Sequence, residues 1–174
     1  MNVSILSTLI LMLAAPAGLL AQTYAERLGW APDDRVIIMH VDDAGMSFDS
    51  NQGAIQALEG LANSVSVMMP CPWAASFIRY AKEHPDVDAG LHLTLTSEWK
   101  DYRWEPLAGI ETVPGLVDEE GAMWRDVEAV ATHASADEVE QEIRLQVERT
   151  LGMGYRPTHL DSHIGTLFAT DQFL

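Results

Sequence analysis

Val36-Ile37-Ile38-Met39 is an unbroken apolar run that passes directly into His40-Val41-Asp42-Asp43. A short apolar run bounded by turn signals reads as a buried strand, here over 36–41, with two carboxylates at its end. Gly45 turns the chain, and Ser47, Asp49 or Ser50 caps a helix predicted over 49–60, with Ile55, Ala57 and Leu58 as its apolar stripe. Residues 63–69 alternate and are β-rich, which predicts a second strand closed by Pro70 and Pro72. A helical pattern over 73–83 follows, with Ala74, Phe77, Ile78 and Ala81 on one side. The third strand, 87–95, sets Leu91, Leu93 and Leu95 on one face and His92, Thr94 and Thr96 on the other. Residues 97–134 show no period but carry Trp99, Tyr102, Trp104 and Trp124. A helix is predicted over 137–151 and a fourth strand over 158–162, while 22–32 reads as an extended lead-in.

Strands that alternate with helical crossovers imply a parallel sheet or a barrel. Four strand–helix units do not close an eight-stranded barrel. The expected class is therefore α/β, with 22–174 as the N-terminal part of a parallel (β/α) barrel. The 174 residues, 48% of them hydrophobic, suffice for one domain with a sizeable core. Residues 1–21, with an apolar stretch over 5–15 and small residues before Gln22, read as a secretory signal peptide. The expectation is export, to a periplasm or the extracellular space. A net charge of −16 excludes nucleic acid as a partner and is compatible with a neutral substrate such as a sugar. The one cysteine, Cys71, has no internal partner and reads as a packed residue between two prolines.

Two adjacent carboxylates at the end of a buried strand are costly unless something compensates them, and a divalent cation does so by favouring the ionised form. Sites on parallel sheets lie beyond the carboxyl ends of the strands. The first strand offers Asp42 and Asp43 there, the third His92, and the fourth Asp161 and His163. A carboxylate and two imidazoles suit Zn²⁺ or another first-row divalent ion with open coordination positions. One Asp then binds the metal while the other accepts a proton from attacking water, which is the chemistry of hydrolysis. His40 shares a face with Asp42, and Asp161 shares one with His163, so both are candidates for orienting the groups in front of them. Thr94 faces with His92 towards the expected pocket. Trp99, Tyr102 and Trp104 offer an aromatic platform for a sugar ring or, equally, pack the loop down. These residues leave three readings open: an amide hydrolase, a hydrolase of another ester or phosphoester, and a non-catalytic sugar-binding protein.

Asp42-Asp43-Ala44-Gly45, Asn51, Gly53-Ala54-Ile55, residues 63–68, Gly90-Leu91-His92-Leu93-Thr94-Leu95 and Pro157-Thr158-His159-Leu160-Asp161-Ser162-His163 resemble, in order, the YdjC-type carbohydrate deacetylases. This group includes the chitooligosaccharide deacetylases and is related in mechanism to the polysaccharide deacetylases. The resemblance implies a (β/α) barrel and one divalent metal ion, zinc or magnesium, held by Asp43, His92 and His163, with Asp42 as the base. It implies hydrolysis of the N-acetyl group of an amino sugar or oligosaccharide with release of acetate. The expected partner is that acetylated sugar, and the resemblance leaves room for a homodimer. Members of the family continue past the last motif and supply a histidine general acid there, so the chain as it stands is expected to lack activity alone. Ala44 stands where an aromatic is usual, and Ile164-Gly165-Thr166-Leu167 replaces a His-rich stretch. Both departures bear on the substrate.

Overall fold

The computed structural model describes residues 22–174; the expected leader over 1–21 lies outside them. Two compact units divide at Ile37 and Ile38. Within the first, α1 (Tyr24–Arg27) stands where an extended lead-in was predicted. Thr23 and Glu26 close a capping box around that single turn, a signal present in the sequence as Thr-x-x-Glu.

The second unit holds β1 (His40–Ala44), α2 (Phe48–Gly60), β2 (Ser64–Val67), α3 (Ala74–Glu83), β3 (Ala89–Leu93), α4 (Val127–His133), α5 (Ala136–Gly152) and β4 (Leu160–Ser162). The strands form one parallel sheet in the order β1-β2-β3-β4. This is an α/β fold, and its sheet is consistent with part of a (β/α) barrel. Leu91 and Leu93 pack with Val65, Val67, Phe77 and Ile78 in the main core, against Ile55 and Leu58 of α2 and Ile143 and Val147 of α5. Each fully buried side chain of this kind contributes about 1.5–3 kcal/mol. The intervening positions carry His40, Ser64, Ser66, Gly90, His92 and Asp161, with His40 opposite Ser64, Ser66 opposite Gly90 and His92 opposite Asp161. One face of the sheet is thus hydrocarbon and the other is polar.

The first strand differs from expectation. It begins at His40, and the apolar run before it is exposed, Ile38 by 71%. Among the described residues β1 pairs only with β2. Met39 is tied to Asn63 by two hydrogen bonds of 3.0 Å, to its side-chain oxygen and from its backbone N–H. Apolarity marked a segment fit for burial but not what covers it. The aperiodic region over 97–134 also contains α4, capped by Asp126, whose side chain accepts from the Ala129 N–H at 2.8 Å. Only Val130 of that helix is buried, so it leaves no apolar stripe to read.

Candidate metal centre

The pairing of β1 with β2 shifts register between Val41 and Ala44, which makes a bulge at Asp42 and Asp43. Bulges re-aim side chains that regular alternation would send to opposite faces. Asp43 adopts φ +63°, a left-handed conformation that Asp visits more readily than most residues. Gly45 follows at φ +89°, where a Cβ would lie 2.9 Å from the Ala74 Cα. The Gly45 N–H donates to Asn51 Oδ1 at 2.7 Å, and Asn51 Nδ2 donates to the Trp73 carbonyl at 3.1 Å. Asn51, in the first turn of α2, therefore ties the turn after the Asp pair to the start of α3.

His92 is buried on β3, and His163 is buried immediately after β4. The chain past His163 kinks at Ile164, φ +42°, and Gly165, φ +73°. Asp43 and Ile164 are the two non-glycine residues with positive φ among the described residues. Strain of this kind costs about 1–3 kcal/mol and clusters at functional sites. Here it lies at one candidate ligand and directly beside another.

Asp43 Oδ1 is 3.2 Å from His163 Nδ1 and 3.4 Å from His92 Nε2. Ligand atoms of all three residues lie within 4.8 Å of one another. Asp43 Oδ1 and His163 Nδ1 are buried and make no hydrogen bond. Buried polar atoms are almost always paired, so two converging orphans ask for a further partner. A carboxylate oxygen and two imidazole nitrogens are the donor set of a divalent cation, and these residues fit one.

Around this trio, His92 Nδ1 lies 2.7 Å from Asp161 Oδ1, and His163 Nε2 lies 3.1 Å from Glu98 Oε2. His40 Nε2 lies 3.1 Å from Asp161 Oδ2 and 3.3 Å from Asp42 Oδ1. Its Nδ1 is 2.9 Å from Ser64 Oγ. The neighbouring His163 holds Asp43 below the usual carboxylate range. Burial would pull the His163 imidazole down, but Asp43 and Glu98 outweigh it and raise its pKa to about 9. Burial likewise pushes Asp161 and Glu98 up, and their bonds to His92 and His163 more than reverse it. The Asp42 side chain is 60% exposed, which gives it access to water.

The structure thus brings Asp42, Asp43, His92, His163, Asp161 and His40 into one cluster. Trp104 and Thr94 are both buried. Trp104 is 4% exposed, and its Nε1 donates to the Thr96 carbonyl at 2.8 Å, so of the two readings left open for it the structure has it packing the loop down. Thr94 is fully buried. Its hydroxyl donates to the His92 carbonyl, and its backbone is clasped by the Gln146 amide, so it lines no open pocket. Trp99 remains 52% exposed, and Tyr102 bonds the Met46 carbonyl through its hydroxyl. Glu98 was missed, although it continues the alternation His92, Thr94, Thr96 by one more step. Burial pushes the Cys71 thiol well above its ordinary value, in keeping with a packed residue.

A family model described as YdjC-like protein matches residues 36–174. The chain belongs to the YdjC-like family. A carbohydrate deacetylase of Thermus thermophilus is 40% identical over 146 residues, 84% of this chain and 50% of that protein. One from Geobacillus stearothermophilus is 37% identical over 130 residues, 74% of this chain and 49% of that one. A chitooligosaccharide deacetylase of Serratia marcescens is 32% identical over 136 residues, 75% and 49% of the two chains. A crystal structure from Enterococcus faecalis V583, assigned as a cellobiose-phosphate cleavage protein, superposes with a TM-score of 0.71 at 29% identity. It covers 78% of this chain and 51% of that one. The YdjC-like chain spans about half the length of the curated relatives it matches. The span matched by the family model, residues 36–174, contains the whole cluster around Asp43.

Proposed function

We propose that this YdjC-like chain belongs to a metal-dependent carbohydrate N-deacetylase, which hydrolyses the N-acetyl group of an amino sugar or oligosaccharide and releases acetate. The observation that carries the reading is the convergence of Asp43 Oδ1, His163 Nδ1 and His92 Nε2, the first two buried and without hydrogen-bond partners. Relatives named carbohydrate deacetylase support the substrate class. Asp43, His92 and His163 would hold one divalent cation, zinc or magnesium. When bound, such a cation polarises a carbonyl and acidifies water.

The remaining work falls to side chains. Asp42 sits beside the trio, exposed to water and 3.3 Å from His40 Nε2, where it can accept the proton of the water that attacks the acetyl carbon. His40 aims that carboxylate. A second reading, cleavage of a phosphorylated sugar, draws on the name of the Enterococcus structure. The cluster disfavours it, because Asp42, Asp43, Glu98 and Asp161 give the site four carboxylates that repel a phosphate.

Acetate release from N-acetylated chitooligosaccharides by the full-length protein tests the reading. Asp42→Asn is expected to cut kcat by about 10²–10⁴, the worth of a positioned base, while Zn²⁺ affinity is retained. Full activity in Asp42→Asn would overturn the assignment of the base.

A further inference from the structure

We propose that Glu98 and Asp161 are positioning residues that fix opposite tautomers in the two histidines, so that His163 presents Nδ1 and His92 presents Nε2 to the same cation. The inference rests on the metal reading above and concerns how this chain prepares for the ion. An ionised carboxylate only accepts hydrogen bonds, so the ring nitrogen facing it must carry the hydrogen. Glu98 Oε2 faces His163 Nε2 at 3.1 Å, and Asp161 Oδ1 faces His92 Nδ1 at 2.7 Å. Once a cation displaces the hydrogen that His163 Nδ1 carries beside Asp43 in the metal-free protein, the lone pairs are left on His163 Nδ1 and His92 Nε2. Those are the two atoms that converge on Asp43 Oδ1, at 3.2 and 3.4 Å. The rings meet edge to face at 75°, with centroids 5.1 Å apart, so the two lone pairs arrive from different directions.

The two supports differ in stiffness. Asp161 is itself held: its second oxygen lies 3.1 Å from His40 Nε2, and His40 Nδ1 lies 2.9 Å from Ser64 Oγ on β2. Ser66 Oγ adds a contact of 3.2 Å to His92 Nδ1. Glu98 stands on the loop after β3, and His163 is its one side-chain partner among the described residues. The His163 half of the site is therefore the one that a single substitution can loosen. Carboxylates behind metal-binding histidines orient the ring and raise its basicity, and losing one typically weakens metal affinity about 10–100-fold.

The test is two-bond ¹H–¹⁵N spectroscopy of the ¹⁵N-labelled full chain loaded with Zn²⁺, together with Zn²⁺ affinity measured by chelator competition. Wild type is expected to show zinc on Nε2 of His92 and on Nδ1 of His163. Glu98→Ala should bind Zn²⁺ about 10–100-fold more weakly while the His92 pattern persists, which separates a local effect from unfolding. Glu98→Gln, whose amide oxygen still accepts the Nε2 hydrogen, should recover most of the affinity. Zinc on Nε2 of His163, or unchanged affinity in Glu98→Ala, would overturn this proposal alone. A wild-type chain that takes up no Zn²⁺ would overturn the metal reading, and this proposal with it.

Discussion

At the scale of single residues, the site balances negative charge against imidazole. His163 lies between Asp43 and Glu98, and together they raise it from an ordinary 6.5 to about 9 against the opposing effect of burial. In the metal-free protein its ring therefore holds a proton at neutral pH. A cation needs the neutral ring, so uptake must displace that proton. Zn²⁺ affinity should rise with pH from neutrality towards about 9 and then level off. Calorimetry at pH 7.5 in buffers of different ionisation enthalpy should register release of a proton on binding. A heat independent of the buffer would contradict this. The linked stability has the opposite sense: a raised imidazole stabilises the metal-free fold fully below about 6.5 and loses that contribution as pH passes through about 9. Much of this was legible in the sequence. Asp42, Asp43, His92 and His163 stood at predicted strand ends. Glu98 did not, because it lies beyond the end of the strand whose alternation it continues.

At the scale of elements, the alternation of Leu91, Leu93 and Leu95 with His92 was sufficient to place β3 and its polar face. The bulge in β1 had no such signature, because a period of two assigns adjacent residues to opposite faces. Only the awkwardness of two neighbouring carboxylates hinted that both serve one site. The turn behind the bulge is equally specific. Gly45 at φ +89° has no space for a Cβ between the Ala74 backbone and Val67. Gly45→Ala should destabilise the fold by about 1–3 kcal/mol from backbone strain, with more from the 2.9 Å contact to Ala74. A lowered thermal midpoint together with weaker Zn²⁺ binding would show that the turn sets Asp43; an unchanged midpoint would contradict it. Besides α1, two elements were misread for physical reasons. The short helix α4 buries a single side chain, and the run before β1 is apolar without being covered in the described residues.

At the scale of the whole molecule, the sheet divides into an apolar face and a polar one. Four carboxylates converge around three histidines, an arrangement that attracts cations and repels phosphates. Helices cover the leucine face of the sheet and leave the polar face to the site. The fold class was legible because strand and helix periods alternate along the chain. The clustering of Asp42, Asp43, His92 and His163 was legible because these residues recur at strand ends. Membership of the YdjC-like family then links this cluster to relatives named carbohydrate deacetylase. Asp43, His92 and His163 are proposed to hold one divalent cation beside Asp42. Zn²⁺ titration of the full chain by calorimetry tests this most directly. About one tight site per chain is expected, in line with a three-ligand centre, lost in Asp43→Ala and in His163→Ala and kept in Asp42→Asn. No uptake by the wild-type chain, or undiminished uptake by Asp43→Ala, would contradict it.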